Sequence, residues 1–272
     1  GEPISVFCKP ADDFLPEPEA AMITGITPQY AAENGLCEAE FMALLHAQFS
    51  QPNTCALGYN SLRFDDEFIR FGFYRNFYDA YEREYAGGNS RWDLLDVMRT
   101  VYALQPEALQ WPARDDGQPR FKLEHLAKAN DCFEGEAHEA LSDVRSLINL
   151  ARKIKASAPE LWHYTLSLRD KNAIADKLAI ERNRRILHVS GQFPTQQACT
   201  GLMLPLMLHP QIKTRTVAVE LREQALKLIE YTPEQIELNL FTPRAALPEG
   251  ELRIGIKEIH HNRCPVIFEA ED

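Results

Sequence analysis

Two segments of this chain carry side chains whose types and spacing could do chemistry together. In GYNSLRFDDE (58–67) an apolar run ends, and Asn60, Asp65, Asp66 and Glu67 follow where a strand would pass into a helix. In AHEALSDV (137–144) His138 stands five residues ahead of Asp143, at the front of a long helical pattern. Carboxylate oxygens bind hard cations such as Mg²⁺ while leaving positions for water and phosphate. Two such cations roughly 4 Å apart can activate a water and stabilise the leaving oxygen of a phosphodiester. An imidazole, ionising near neutrality, can take the water's proton. Each segment also has an ordinary reading. Asp65 or Asp66 would cap the helix that follows, Glu67 would suit its dipole, and a lone histidine at a helix start is commonly structural or exposed. It is the pair of motifs, N-x-x-x-x-D and H-x-x-x-x-D, that points to metal-assisted hydrolysis.

The elements that must position these groups alternate in type. ISVFCKP reads as a strand ended by Pro10, and TPQYAAENGL as a helix with Thr27 as N-cap, Pro28 in its first turn and Gly35 as its stop. EAEFMALLHAQF is an amphipathic helix, TCALGYN a short apolar strand, and DDEFIRFGFYRNF and SRWDLLDVMRTVYAL two further helices. After the turn-rich PARDDGQPR come the helix KLEHLAKAND and a long helix from about 137 to 156, whose Leu141, Val144, Ile148 and Ala151, with Leu147 and Ile154, form an apolar stripe. Strands interleaved with helices imply an α/β layer. Beyond KASAPELWHY the character changes. Two basic helical segments lead into strand-like ILHVSGQF, LMLPLML, RTVAVEL, ELRIGIKEI and CPVIFEA, with the Thr232-capped helix TPEQIELNLF among them. A boundary near residue 158 divides an α/β domain (1–158) from a smaller β-rich domain (159–272), and no internal repeat or low-complexity segment is evident.

The bulk composition narrows the setting. The chain has 272 residues, 45% of them apolar, with a formal charge of −11. No apolar run or leader-like start suggests a membrane span or secretion, and the six scattered cysteines form no C-x-x-C pair, so a soluble protein of the reducing cytoplasm is expected. An acidic surface repels nucleic acid as a whole. Between Arg152 and Thr216, however, eleven Lys and Arg face four acids, a local balance of +7. Two readings stay open for this belt: a solvated helix surface, or a strip that binds phosphates.

Taken together, ITGITP (23–28), GYNSLRFDDE, YRNFYDAY (74–81), NSRWDLLDVMR (89–99), FKLEHLAKAN (121–130) and AHEALSDV resemble the bacterial exodeoxyribonuclease I family, 3′→5′ single-strand-specific exonucleases of the DEDDh group. HVSGQF and HHNRCPV resemble the SH3-like domain that follows in that family. The resemblance implies a ribonuclease-H-like exonuclease domain, followed by an SH3-like domain. It implies Asp65 and Asp143 as metal ligands, His138 as general base, Asn60 as a positioning residue, and Asp66 and Glu67 as supporting or surface groups. The TGIT turn, with Thr24 and Gly25 offering backbone N–H groups before a helix, would hold the 3′-terminal nucleotide. Two Mg²⁺ ions are implied, with Mn²⁺ as the alternative. The partners implied are single-stranded DNA and the acidic C-terminal tail of single-stranded-DNA-binding protein, on a monomer. From the basic belt, Arg169, Lys171, Arg184 and Arg185 are the candidates for DNA phosphates, Trp162, Tyr164 and Phe193 for bases, and Tyr164 with Arg184 for the protein tail.

One part of the family pattern is not found. Its D-x-E motif, on the first strand, has no counterpart here; Asp12 and Asp13 follow a later strand. The expectation is therefore an internal piece of such a nuclease, lacking opening strands and a C-terminal region, inactive by itself or serving only to bind single-stranded DNA or a protein tail. A related exoribonuclease is a further alternative, against which the SH3-like segment speaks.

Overall fold

The computed structural model describes residues 2–13, 16–135, 140–243, 246–250 and 252–270. The chain divides into two compact units, one of residues 1–95 and 106–162 and one of residues 96–105 and 163–272.

In the first unit, strand β1 (Phe7–Cys8) pairs in parallel with β2 (Gly35–Leu36). Helices α1 (Pro18–Thr24) and α2 (Pro28–Asn34) lie between them in sequence. The Thr27 hydroxyl accepts the Tyr30 N–H at 3.1 Å and Pro28 opens α2, the cap read from the sequence. Helix α3 (Glu38–Phe49) follows, then a second parallel pair, β3 (Cys55–Gly58) with β4 (Ser90–Asp93). Helix α4 (Asp65–Arg75) spans part of the crossover between them, which a parallel pair requires. The expected helix over 90–104 is thus half right. SRWD is a strand, opposite Cys55 to Gly58, and the helix α5 (Leu94–Leu104) starts only at Leu94. Four residues are too few to show a period of two before a strong helical pattern takes over.

Helix α6 (Leu123–Ala129) packs on α7 (Ala140–Ser157). The buried face of α7 runs through Leu147, Leu150, Ala151 and Ile154, whereas Val144 and Ile148 of the expected stripe are exposed. The stripe is rotated: α7 carries apolar residues on more than one side, and the side that is buried bears Leu150 and Ile154. Asp143 lies four residues before the buried Leu147, on the same side of α7, and is itself half-buried.

In the second unit, α8 (Pro159–Ser167, its residues from His163 on) and α9 (Lys171–Lys177) lead into a five-stranded antiparallel sheet. Its strands are β5 (Ile186–Val189), β6 (Thr200–Leu208), β7 (Arg215–Glu220), β8 (Ile256–His260) and β9 (Val266–Glu269), in the order β8-β7-β6-β5-β9. Register shifts between Pro205 and Met207, a bulge where proline can sit in a strand interior. The short helix α10 (Lys227–Glu230) and α11 (Pro233–Phe241) separate β7 from β8, and Thr232 and Gln235 close a capping box on α11. Leu168, Ile174, Ile186, Met203, Ala218 and Ile267 form the core.

At the end of β8, burial and the cations of Arg215, Arg263 and Lys257, opposed by Glu258, push His260 down from the ordinary 6.5 to about 4. Burial lowers the neighbouring His261 as well, where its Nε2 meets the Thr216 hydroxyl at 2.8 Å. Both groups resist protonation in the folded state. Their contribution to stability is therefore complete above pH 6.5 and is lost as pH falls towards about 4. A melting-temperature series over that window should decline, and His260→Gln should flatten the decline; an unchanged slope in the variant would assign it to other groups.

Candidate active site

The connection from β3 to α4 is built to hold one carboxylate in place. Gly58 ends β3 because a Cβ there would sit 2.4 Å from the Ser61 side chain across the tight turn. Asn60 takes a left-handed conformation (φ 62°), which asparagine tolerates better than most residues. Asp93, ending β4 opposite Gly58, receives the turn: its Oδ1 accepts the Asn60 N–H at 2.8 Å and its Oδ2 the Leu62 N–H at 3.2 Å. Oδ1 also accepts the Leu95 N–H at 3.0 Å, at the start of α5. Asp65 then opens α4, with its side chain exposed. No side chain caps this helix, so capping accounts for neither Asp65 nor Asp66.

The two adjacent aspartates have opposite fates. Asp66 is buried, with one carboxylate oxygen on Arg83 Nη2 at 2.5 Å and the other on Arg91 Nη1. Arg91 also reaches Glu84 at 2.8 Å, Glu84 binds Arg70 at 2.7 Å, and Arg70 binds Glu67 at 2.7 Å. Burial alone would lower the Arg70 pKa, but Glu84, Glu67 and Asp66 reverse this and keep it charged. Three cations and three anions thus tie α4 to β4 and to the 3-10 turn at Glu82–Glu84. The first turn of α4 is clamped from within, and Asp65 is left pointing outward.

Loss of hydration, followed by the negative charge of Asp66, raises the Asp65 carboxyl above the usual range, and its own backbone N–H offsets only part of this. No cation pairs with it among the described residues. A carboxylate in that condition fits a divalent cation, which would relieve both costs. Asp143, half-buried in the first turn of α7, is the second candidate oxygen ligand. Among the described residues no group of three or more His, Cys, Asp or Glu side chains is arranged to hold a metal ion. His138 lies outside the described residues.

The remaining candidates divide. Thr24 ends α1 and Gly25 is its left-handed C-cap (φ 70°). The Gly25 N–H is bonded to Ala21 O at 2.9 Å and the Ile26 N–H to the Thr24 hydroxyl at 3.3 Å, so these two donors are engaged within the turn. In the second unit, Arg184 and Lys177 both pair with Glu269 beside the Tyr164 ring, which stacks on Phe268 at 4.6 Å. The Tyr164 hydroxyl donates to Ile267 O at 2.5 Å, and burial, then Glu269, pushes it up to about 12. Arg169 Nε donates to Leu166 O at 2.7 Å; Lys171 is exposed and Arg185 half-buried. Phe193 does not offer a stacking face: it is buried in the core, against Gly201 and under Lys257 at 4.9 Å. In the first unit Trp162 meets the buried Trp92 edge-on at 4.7 Å.

Two features escape the sequence reading. Asp93 sits in a segment that reads as helix, and nothing local signals that it serves a turn some thirty residues earlier. An open pocket lined by Arg114, Arg120, Phe121, Lys122 and His125, with Asp115 and Asp116, gathers basic groups in the turn-rich break.

A family model described as "Exonuclease" matches residues 1–151, and one described as "Exonuclease I SH3-like domain" matches residues 169–272. The chain is 43% identical to exodeoxyribonuclease I of Escherichia coli K12, over 99% of this chain and 57% of that protein. It is 41% identical to exodeoxyribonuclease I of Haemophilus influenzae, over 100% of this chain and 58% of that protein. It thus spans a little over half the length of these curated relatives. Among solved structures, E. coli exonuclease I in complex with a dA16 oligonucleotide superposes with a TM-score of 0.96 at 43% identity, covering 99% of this chain and 57% of that one. The zinc-ion-bound form of an E. coli ExoI–ssDNA complex gives 0.94 at 42% identity, covering 99% and 57%. An ExoI/SSB-Ct complex gives 0.93 at 42%, covering 99% and 58%.

The ion cluster yields a direct test. Asp66→Ala leaves Arg83 and Arg91 buried without their shared anion and should cost about 3–5 kcal/mol of stability. Urea unfolding of the variant measures it. A loss below about 0.5 kcal/mol, the range of an ordinary surface substitution, would show that Asp66 does not clamp α4.

Proposed function

The chain belongs to the exonuclease I family, an exonuclease domain followed by an SH3-like domain, and on that premise we propose that the protein is a 3′→5′ exodeoxyribonuclease releasing mononucleotides from single-stranded DNA. The observation that carries the reading is Asp65: an exposed, incompletely hydrated carboxylate with no cationic partner among the described residues, opening the helix that follows the carboxyl end of parallel strand β3, the side on which α/β proteins bind ligands. We place the exonuclease domain at 1–158 and the SH3-like domain at 159–272, in a cytoplasmic monomer acting in DNA repair and recombination. Among the described residues no helix is long and apolar enough to cross a membrane.

Asp65 and Asp143 would hold the divalent metal, Mg²⁺ or Mn²⁺. The bound metal supplies charge that activates a water and stabilises the leaving oxygen. His138 takes the proton of the attacking water, a task suited to a base that ionises near neutrality. Asn60 orients the terminal nucleotide, and Thr24 and Gly25 line its seat. Arg169, Lys171, Arg184 and Arg185 bind successive phosphates in a sequence-tolerant way. Tyr164 and Arg184 receive the acidic tail of single-stranded-DNA-binding protein, in keeping with the relative whose complex with SSB-Ct is known. For that contact the tail must displace Glu269 from Arg184 and Lys177.

With the full-length protein and a 3′-labelled single strand, Asp65→Ala and Asp143→Ala should each abolish Mg²⁺-dependent cleavage. His138→Ala should lower turnover by about 100-fold or more while retaining most metal affinity. Full activity in either aspartate variant would sink the assignment, and faster turnover on RNA than on DNA oligomers of equal length would favour an exoribonuclease. For the tail, Glu269→Gln should tighten binding of an acidic tail peptide about two- to fivefold at low salt, the scale of one partly exposed ion pair, and added salt should erase the gain. Unchanged affinity would move the tail site elsewhere.

A further inference from the structure

We infer that Asp93 is a positioning residue for the reaction, holding the backbone that delivers Asp65. The inference rests on the proposed nuclease function and adds to it a residue outside the acid and histidine motifs. Asp93 is only 2% exposed, and its carboxylate gathers backbone: the N–H groups of Asn60, Leu62 and Leu95 all point at it. Arg63, in the same turn, adds an ion pair at 4.0 Å. Helix capping explains only the Leu95 bond. The other two reach back 33 and 31 residues to the turn that precedes Asp65.

The chemistry requires an aspartate. Three donors converge on one side chain, and a carboxylate presents acceptors on both oxygens, whereas an amide would turn an NH₂ group towards one of the N–H donors. The positive end of α5 favours its charge. The bond to Asn60 falls on the residue in left-handed conformation, where the chain has most to gain from an external hold. From there the chain passes through the 3-10 turn Ser61–Arg63 and Phe64 into Asp65. Asp66, locked to Arg83 and Arg91, clamps the far side. Asp65 is thus suspended between two anchored points, and releasing the upstream one frees its backbone to drift.

The test compares Asp93→Asn with Asp65→Asn and wild type in the full-length protein, at a temperature where all are folded. Three readouts are taken: amide hydrogen exchange, calorimetric binding of Mg²⁺ alone, and kcat and KM on single-stranded DNA. In Asp93→Asn, exchange at Asn60 and Leu62 should rise at least about tenfold while the β5 and β6 amides stay as in wild type. Mg²⁺ affinity and kcat should each fall on the order of 10- to 100-fold, with KM little changed, as expected when a metal ligand loses its support. Faster exchange with unaltered Mg²⁺ affinity and kcat would reduce Asp93 to a structural cap and overturn the proposal, as would unaltered exchange. If Asp65→Asn itself binds Mg²⁺ and cleaves normally, the nuclease assignment of Asp65 falls, and the role of Asp93 with it. If Asp65→Asn loses both while Asp93→Asn keeps both, only the role of Asp93 falls. Should Asp93→Asn not fold, Asp93→Glu, which keeps the charge but moves it by one methylene, is read by the same criteria.

Discussion

Buried carboxylates need partners, and in the first unit that requirement organises everything around Asp65. Asp66 and Asp93 are both almost fully enclosed, and each satisfies its oxygens in a different way, Asp66 with guanidinium groups and Asp93 with backbone amides. A buried ion cluster is a poor source of net stability, because desolvation consumes most of the attraction. Its value here is geometric. Asp66 closes onto Arg83 and Arg91, and Asp93 onto the Asn60 turn, and this arrangement leaves Asp65 facing outward at the start of α4.

The same logic gives Asp65 its character. Next to an anion already committed to internal partners, and partly stripped of water, it holds its proton more tightly than an ordinary aspartate. Such a group is costly to the fold unless a cation arrives, and a binding site is where that cost is tolerated. The second unit behaves differently. Its basic residues are largely engaged: Arg184 and Lys177 with Glu269, and Arg182 with Asp176. Asp176 is already counted in the +7 of the belt, but Glu269 lies outside it, so the +7 overstates the charge immediately open to phosphates. An anionic ligand on Arg184 has to compete with an internal carboxylate, which makes binding there dependent on salt and on the ligand's own charge.

Local signals were legible wherever the physics is local. The cap on α2, from Thr27 and Pro28, and the capping box on α11, from Thr232 and Gln235, follow from residues three positions apart. Helix α3 runs over Glu38–Phe49 as its pattern indicates. The failures share a cause. SRWD is a strand because Cys55 to Gly58 lie alongside it, and α7, against which α6 packs, hides Leu150 rather than Val144. Phe193 lies in the core because Gly201 leaves room for its ring. In each case the deciding neighbour is distant in sequence.

Sequence by itself determined the pairing of the N-x-x-x-x-D and H-x-x-x-x-D motifs and the change from an α/β to a β-rich part, since these depend on residue type and spacing, and the resemblance to the exonuclease I family singled out Asp65 and Asp143 among the acids. Only the tertiary structure decided which of two adjacent aspartates faces out. Asp65 and Asp66 are chemically identical and differ by one step of about 100° around a helix. The deciding facts are the positions of Arg83 and Arg91, 17 and 25 residues away, and the burial that compels Asp66 to meet them.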